Sequence, residues 1–302
     1  MNTTLHILAC LILAAGAAAG GQGNGAAMAR ADIEHKLDSL IAAQPGTFAV
    51  AFKDLQSGET ILRREKERFH AASTMKTPVM IEVYKQAAAG KLSLDDSIEV
   101  VNLFHSIVDG SEYSMDLGVD SDDGLYKQVG KRATIRSLVE AMITVSSNLA
   151  TNILIEKIGA PEIMTTMRGL GANDIQVLRG VEDNKAFRLG MNNTTTAYDL
   201  MLIFEQIAQG RVVSGPACRE MTAVLSRQHF NTMIPALLPK DVVVSHKTGS
   251  ITGIQHDSGI VTLPDGRRYV LVVLSKDLPN AEKGIQAIAS ISKLIYDYQT
   301  GY

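Results

Sequence analysis

Cysteine is scarce in this chain: of 302 residues only Cys10 and Cys218 carry a thiol, and Cys10 sits in an apolar N-terminal block. Removal of that block would leave one thiol, which excludes an intrachain disulfide. Basic runs are missing too. Against 29 Lys and Arg stand 32 Asp and Glu, for a net charge of −3, so nucleic acid is not an expected partner. Beyond the N-terminus no apolar run is long enough to cross a bilayer, and no stable membrane partner is expected. The histidines at 35, 70, 105, 229, 246 and 256 show no metal-ligand spacing such as HExxH, and no glycine-rich phosphate loop occurs. Neither zinc nor a nucleotide cofactor is expected. Asp116, Asp120, Asp122 and Asp123 miss the calcium-loop spacing and read as a solvated loop.

What remains is an ordinary globular composition, 46% apolar and 20% charged, long enough for a sizeable core. Leu5 to Gly20 (LHILACLILAAGAAAG) runs from apolar into small residues. We read residues 1–29 as a secretory leader, cut near Gly20 or after Ala27-Met28-Ala29, which implies secretion or export to a periplasm. A short retained anchor is the alternative. Cys10 comes too early in the block for a lipoprotein signal.

Periodicity predicts a helix over Ala31–Ala43, then strands over Thr47–Phe52 and Glu59–Leu62 around the turn Gln56-Ser57-Gly58. A helix begins at Ser73 and ends at Gly90. Helices follow over Arg136–Val145, Pro161–Arg168, Ala197–Gln209 (capped by Thr194-Thr-Thr196) and from Pro216. Strands return over Asp241–Lys247, Gly259–Leu263 and Tyr269–Ser275, the last apolar throughout and so expected at the sheet centre. A helix over Ala281–Tyr298 closes the chain. Hairpin-joined strands at both ends imply an α+β fold: an antiparallel sheet built from both termini and flanked by helices, with an all-helical insertion. Residues 30–72 and 240–302 form the α/β part, and residues 73–239 the helical part. The polar stretch after Asp120 reads as a loop.

Within HAASTMKTPVM, Ser73 precedes Lys76 by three residues, which places both on one helical face. Unpaired first-turn N–H groups favour developing negative charge there, and a lysine drawn out of water becomes a base near neutral pH. Alone the pattern is weak. Ser-x-x-Lys arises by chance roughly once in such a chain, and Ser290-x-x-Lys293 repeats it inside the C-terminal helix. Two distant segments supply what the pair lacks. TVSSNLATN offers Ser146 and Asn148 after a helix, a hydroxyl to relay a proton and an amide to hold a substrate amide. SHKTGS offers Lys247 and Thr248 at a strand end, with a glycine permitting close backbone approach, a seat for a carboxylate-bearing acyl substrate.

This ordered set, Ser-x-x-Lys, Ser-x-Asn, Lys-Thr-Gly, resembles the class A serine β-lactamases and the wider penicillin-recognising serine hydrolases from about Ala31 to the C-terminus. The resemblance implies Ser73 as nucleophile, Lys76 as its base, and Ser146 passing a proton to the β-lactam nitrogen. It implies Asn148 binding the acylamide side chain and Lys247 with Thr248 binding the substrate carboxylate, while the N–H groups of Ser73 and Ser250 form the oxyanion hole. Glu182, in GVEDNKA, falls where the family activates the deacylating water, and Asn152 matches the residue bracing that glutamate. No cofactor is implied, and a monomer acting on a β-lactam or a cell-wall peptide is expected. Four departures stand out. Ser147 replaces the usual aspartate, and Ala186 replaces the water-holding asparagine in a loop about two residues shorter. Gly180 and Asn193 stand where an arginine–aspartate pair usually pins that loop. Phe104–Tyr126, with His105 and Tyr113, is an insertion that could form a rim or lid. They leave acylation intact and question deacylation, so a D-Ala-D-Ala peptidase or another serine hydrolase of the superfamily, or a slow-deacylating penicillin-binding sensor, is the alternative.

Overall fold

The computed structural model describes Met1 and residues 28–301; the expected leader, apart from its ends, lies outside the described residues, as does Cys10. The chain opens with α1 (Arg30–Ala42) and the hairpin β1 (Thr47–Asp54) and β2 (Thr60–Arg63). A short strand, β3 (Phe69–His70), then feeds a 3₁₀ turn, Ala72–Met75, and α2 (Lys76–Ala88). The long middle section runs through β4 (Ser97–Glu99), β5 (Phe104–His105), β6 (Glu112–Tyr113), α3 (Asp123–Tyr126) and β7 (Arg132–Thr134). It continues with α4 (Ile135–Thr144), α5 (Asn148–Ile158), α6 (Ala160–Gly169), α7 (Asn184–Arg188), β8 (Thr194–Thr195), α8 (Ala197–Ala208) and α9 (Gly215–Leu225). The end of the chain supplies β9 (Val243–Ile251), β10 (Ile254–Thr262), β11 (Arg268–Lys276) and α10 (Ala281–Thr300).

Five strands form one antiparallel sheet in the order β2-β1-β11-β10-β9. The apolar run YVLVVLS is its central strand, as its composition implied. Alternate residues serve opposite cores. Ala49, Ala51, Val270, Val272 and Leu274 face the helical section, where Val79, Ile143, Leu149 and Phe204 pack. Phe48, Val50, Phe52, Leu271 and Val273 face Ile33, Leu37, Ile288 and Ile291 of α1 and α10. The α+β architecture read from the sequence is the one observed. Among the described residues no helix is long and apolar enough to cross a membrane.

Three local expectations change. Ser73 lies in the 3₁₀ turn, and the α-helix starts only at Lys76. The segment read as a polar loop after Asp120 contains α3, capped by Asp122, and β7, which pairs with β4. Strand β9 does not end at Lys247 but runs on to Ile251, and β10 begins at Ile254 rather than Gly259. The strand middles are polar yet buried, from Ser245 to Thr248 and from Gln255 to Ser258. They satisfy one another: His246 Nδ1 meets Asp257 Oδ1 at 2.8 Å, and Ser258 Oγ donates to the Lys247 carbonyl at 3.2 Å. Mutual pairing of this kind lets polar residues occupy a core strand and erases the hydrophobic pattern.

Candidate active site

Five separate segments meet at one cavity of about 660 Å³, lined among others by His70, Ser73, Asp116, Asn148, Glu182 and Ser250. Ser73 reaches it because the 3₁₀ turn packs against β9, the outer strand of the sheet. The approach is close. A Cβ on Gly249 would lie 3.1 Å from the backbone nitrogens of both Ser73 and Thr74, so glycine is what lets strand and turn touch. The turn is tethered from behind as well: His256 Nε2 lies 2.9 Å from the His70 carbonyl, and Ala71 N–H donates to the Asn193 carbonyl at 2.8 Å. Burial keeps His256 neutral, its pKa pushed down to about 4, which leaves the ring a proton to donate from Nε2 while Nδ1 accepts from Ser275 N–H at 3.1 Å.

The geometry of β9 also orients Ser250. Its two-residue turn to β10 closes on the pair Ile251–Ile254, so the adjacent pair Ser250–Gln255 is of the non-hydrogen-bonded kind. In keeping with this, Gln255 N–H turns away and donates to Ser275 Oγ at 3.2 Å. The Ser250 N–H therefore points out of the sheet edge.

Lys76 and Lys247 are both fully buried. Lys76 Nζ donates to the Ser146 carbonyl at 2.6 Å, to Asn148 Oδ1 at 2.8 Å and to Ser146 Oγ at 3.2 Å. Lys247 Nζ donates to the same Ser146 Oγ at 3.1 Å and to the Thr248 carbonyl at 2.9 Å. One hydroxyl thus lies between two lysines. Burial lowers the Lys76 pKa to about 7, against the upward pull of Asp120 and Glu182. Lys247 is lowered as well, by burial first and then by the neighbouring Lys76. Ser73 Oγ makes no hydrogen bond among the described residues. The contact expected from the i, i+3 spacing is replaced by the bonds from Lys76 to Ser146 and Asn148, because a buried ammonium takes the richest set of acceptors in reach. The second Ser-x-x-Lys is inert by comparison: Lys293 is spent on Asp297 at 2.6 Å.

Glu182 stands on the opposite wall, half-buried, with φ 63°. Asn148 Nδ2 donates to one of its oxygens at 3.2 Å and Asp116 N–H to the other at 3.3 Å. Burial raises its pKa above the ordinary glutamate value, against these two hydrogen bonds. Asn152 holds the preceding residue, accepting from Val181 N–H at 2.7 Å and donating to the Val181 carbonyl at 3.0 Å. A Cβ on Gly180 would fall 2.5 Å from Asn152 Oδ1, which explains the glycine there. The loop's pin is not lost, as the sequence suggested, but displaced by one residue. Arg179 donates to the Met191 and Gly180 carbonyls at 2.9 Å each and to Asn192 Oδ1 at 3.3 Å. Asn193 Oδ1 accepts from Leu178 N–H at 2.8 Å and Arg179 N–H at 3.2 Å.

The insertion lies along this loop. Asp183 accepts from Ser106 Oγ at 2.9 Å and Ile107 N–H at 3.0 Å, Lys185 pairs with Asp109 at 2.9 Å, and Tyr113 OH donates to the Val181 carbonyl at 3.3 Å. Asp183 and Asp120 are site-shaping residues that motif reading missed. Asp120, expected in solvent, accepts the Asn148 and Leu149 N–H groups at 3.0 and 2.9 Å. Its only sequence-level signal is the serine at 147, where an aspartate would otherwise supply that charge.

The sequence model of the β-lactamase enzyme family matches residues 32–299. The chain belongs to that family. β-Lactamase AST-1 of Nocardia asteroides is 30% identical over 267 residues, covering 87% of this chain and 81% of the relative. Among solved structures, a β-lactamase from Sphaerobacter thermophilus superimposes with a TM-score of 0.77 at 28% identity, covering 87% of this chain and 96% of that one. PBP-A gives 0.77 at 25% identity, covering 90% and 97%, and a mutant of it is known as an acyl-enzyme complex with penicillin G. The fold and family are those of a class A-like serine β-lactamase, a hydrolase.

Proposed function

We propose that this β-lactamase-family chain opens the amide of a β-lactam ring through an acyl-enzyme on Ser73. The observation that carries the reading is Ser146 Oγ between Lys76 and Lys247, at 3.2 and 3.1 Å, beside the cavity that Ser73 lines. With its lone pairs taken by two lysine donors, that hydroxyl has its own proton to give, and the leaving nitrogen is the receiver. Lys76, neutral above about pH 7, gives up one of its three donated bonds, and the lone pair so freed takes the proton of Ser73 as the hydroxyl oxygen attacks the carbonyl carbon. Lys76 passes that proton on to Ser146 Oγ as Ser146 protonates the leaving nitrogen. The N–H groups of Ser73 and Ser250 receive the developing oxyanion. Lys247 and Thr248 take the substrate carboxylate, and Asn148 the acylamide. Glu182 then activates the water that cleaves the ester, with Asn152 bracing its loop.

Export through the N-terminal leader, a monomeric state and a contribution to antibiotic resistance belong to the same reading, supported by the apolar block before residue 29 and by the family. The test is intact-protein mass during incubation with a simple penicillin, followed alongside substrate loss. A transient adduct with continuing substrate loss supports a β-lactamase; a protein that never gains the penicillin's mass overturns the reading.

A second reading has its own observation. Glu182 is held by Asn148 and Asp116, and Ala186, fully buried, supplies no amide for a water. A lasting adduct without turnover would favour a slow-deacylating penicillin-binding protein or a cell-wall peptidase.

A further inference from the structure

The turn that carries Ser146 is gripped from both sides by two consecutive residues of the insertion. On one side Ser121 Oγ donates to the Val145 carbonyl at 2.6 Å. On the other, Asp120 accepts from Asn148 N–H through both oxygens at 3.0 Å and from Leu149 N–H at 2.9 Å, while Tyr126 OH donates to it at 3.1 Å. Between these grips Ser146 has φ 59°, a left-handed conformation that residues with a Cβ avoid and that persists only where the surroundings impose it. The strain serves a purpose, since the Ser146 carbonyl and hydroxyl both meet Lys76 there. Ser147 Oγ caps Ala150 N–H of α5 at 3.3 Å, leaving the Asn148 and Leu149 N–H groups to Asp120.

We propose that Asp120 is a positioning residue: it holds the Val145–Leu149 turn in the strained form that sets Ser146 between the two lysines and Asn148 on Lys76 and Glu182. The inference rests on the acylation reading above and adds a residue from outside the three motifs. Its charge has a second effect. Asp120 and Glu182 are the carboxylates that pull Lys76 toward protonation, against burial, while Lys76 in turn lowers Lys247. Asp116, Glu182 and Tyr126 are the other titratable groups sharing the neighbourhood of Asp120.

The experiment compares Asp120→Ala, Asp120→Asn and Asp122→Ala by acylation with penicillin across pH. Asp122 lies two residues away and caps only α3, so it reports what loosening the insertion does by itself. Asp120→Ala is expected to slow acylation roughly 10²-fold, the scale of a misplaced catalytic group. Asp120→Asn should slow it less, because an amide oxygen still accepts an N–H, and should move the acid limb to lower pH, since Lys76 loses a carboxylate. Asp122→Ala should acylate like the parent. An unchanged rate and limb in Asp120→Ala, or an equal loss in Asp122→Ala, overturns the proposal. If the parent forms no adduct, the acylation reading fails separately. The turn itself, followed by NMR of the Asn148 and Leu149 amides without any turnover, still decides: faster hydrogen exchange there in Asp120→Ala but not in Asp122→Ala supports the role of Asp120, and unchanged exchange refutes it.

Discussion

The two walls of the cavity are built by different means. The wall of Ser73, Asn148 and Ser250 is held by a sheet edge and two helices, and the two lysines bonded to Ser146 are fully buried next to it. The wall of Glu182 is a loop. Its shape depends on Arg179, Asn193 and Asn152, and on the insertion reaching across to Asp183. Secondary structure fixes most of the first wall through ladder and helix bonds, and only the Ser146 turn leans on side chains, those of Asp120 and Ser121. The second rests on a handful of side-chain bonds, each of which one substitution removes. Acylation is accordingly the robust half of the proposed reaction and deacylation the tunable half.

The comparison breaks most completely at the nucleophile. Ser73→Ala should abolish the adduct and reduce hydrolysis on the order of 10⁶-fold, as loss of a serine nucleophile does elsewhere, while circular dichroism stays unchanged. Glu182→Gln should separate the walls: the adduct forms at the parental rate but its release slows about 10²–10⁴-fold, the usual worth of a general base. Pulse-chase mass measurement reads both rates. Should release stay fast, Glu182 is not the base. Gly249→Ala tests the rigid wall without removing a functional group. The added methyl presses on the Ser73 and Thr74 nitrogens, and acylation should fall roughly 10-fold to 10²-fold.

Smaller effects sharpen the contrast. Asp183→Ala leaves the Ile107 and Ala186 N–H groups and the Ser106 hydroxyl without their acceptor. Release should slow several-fold more than acylation, and the melting temperature should drop by about 2–6 °C for a loss of about 1–2 kcal/mol. The gentlest probe is pH. In the proposed reaction Lys76 is a base only when neutral, so acylation should fall as pH drops below about 7. The proposed release needs Glu182 ionised, and its pKa lies above the ordinary glutamate value, so release should have an acid limb of its own. Identical limbs for the two steps would mean that one group governs both.

Most of the architecture was legible because it rests on local patterns. The apolar alternation of β1 and the unbroken run of β11 marked a sheet built from both ends. The three motifs were legible by their order. What escaped depends on residues that pair only in three dimensions. The polar stretch Ser245–Thr248 hid the rest of β9 because its partners lie in β10. Asp120 looked like one acid among several until the fold set it beneath the Asn148 N–H. Arg179 stood one residue from the place where a pin was sought, and its bonds to backbone carbonyls leave no mark in sequence.

The central pairing of β1 with β11 joins Thr47 to Lys276 and Asp54 to Tyr269, positions separated by most of the chain. Closing so large a loop is slow, and the strands it joins are exposed to mispairing until it is done. Ser73 emerges early in synthesis, yet the strand its turn packs against, β9, arrives near the end. The nascent protein therefore spends most of its synthesis without the assembled candidate site. A covalent penicillin label on Ser73 would then act as a clock for maturation, marking only chains whose last strands have found their first.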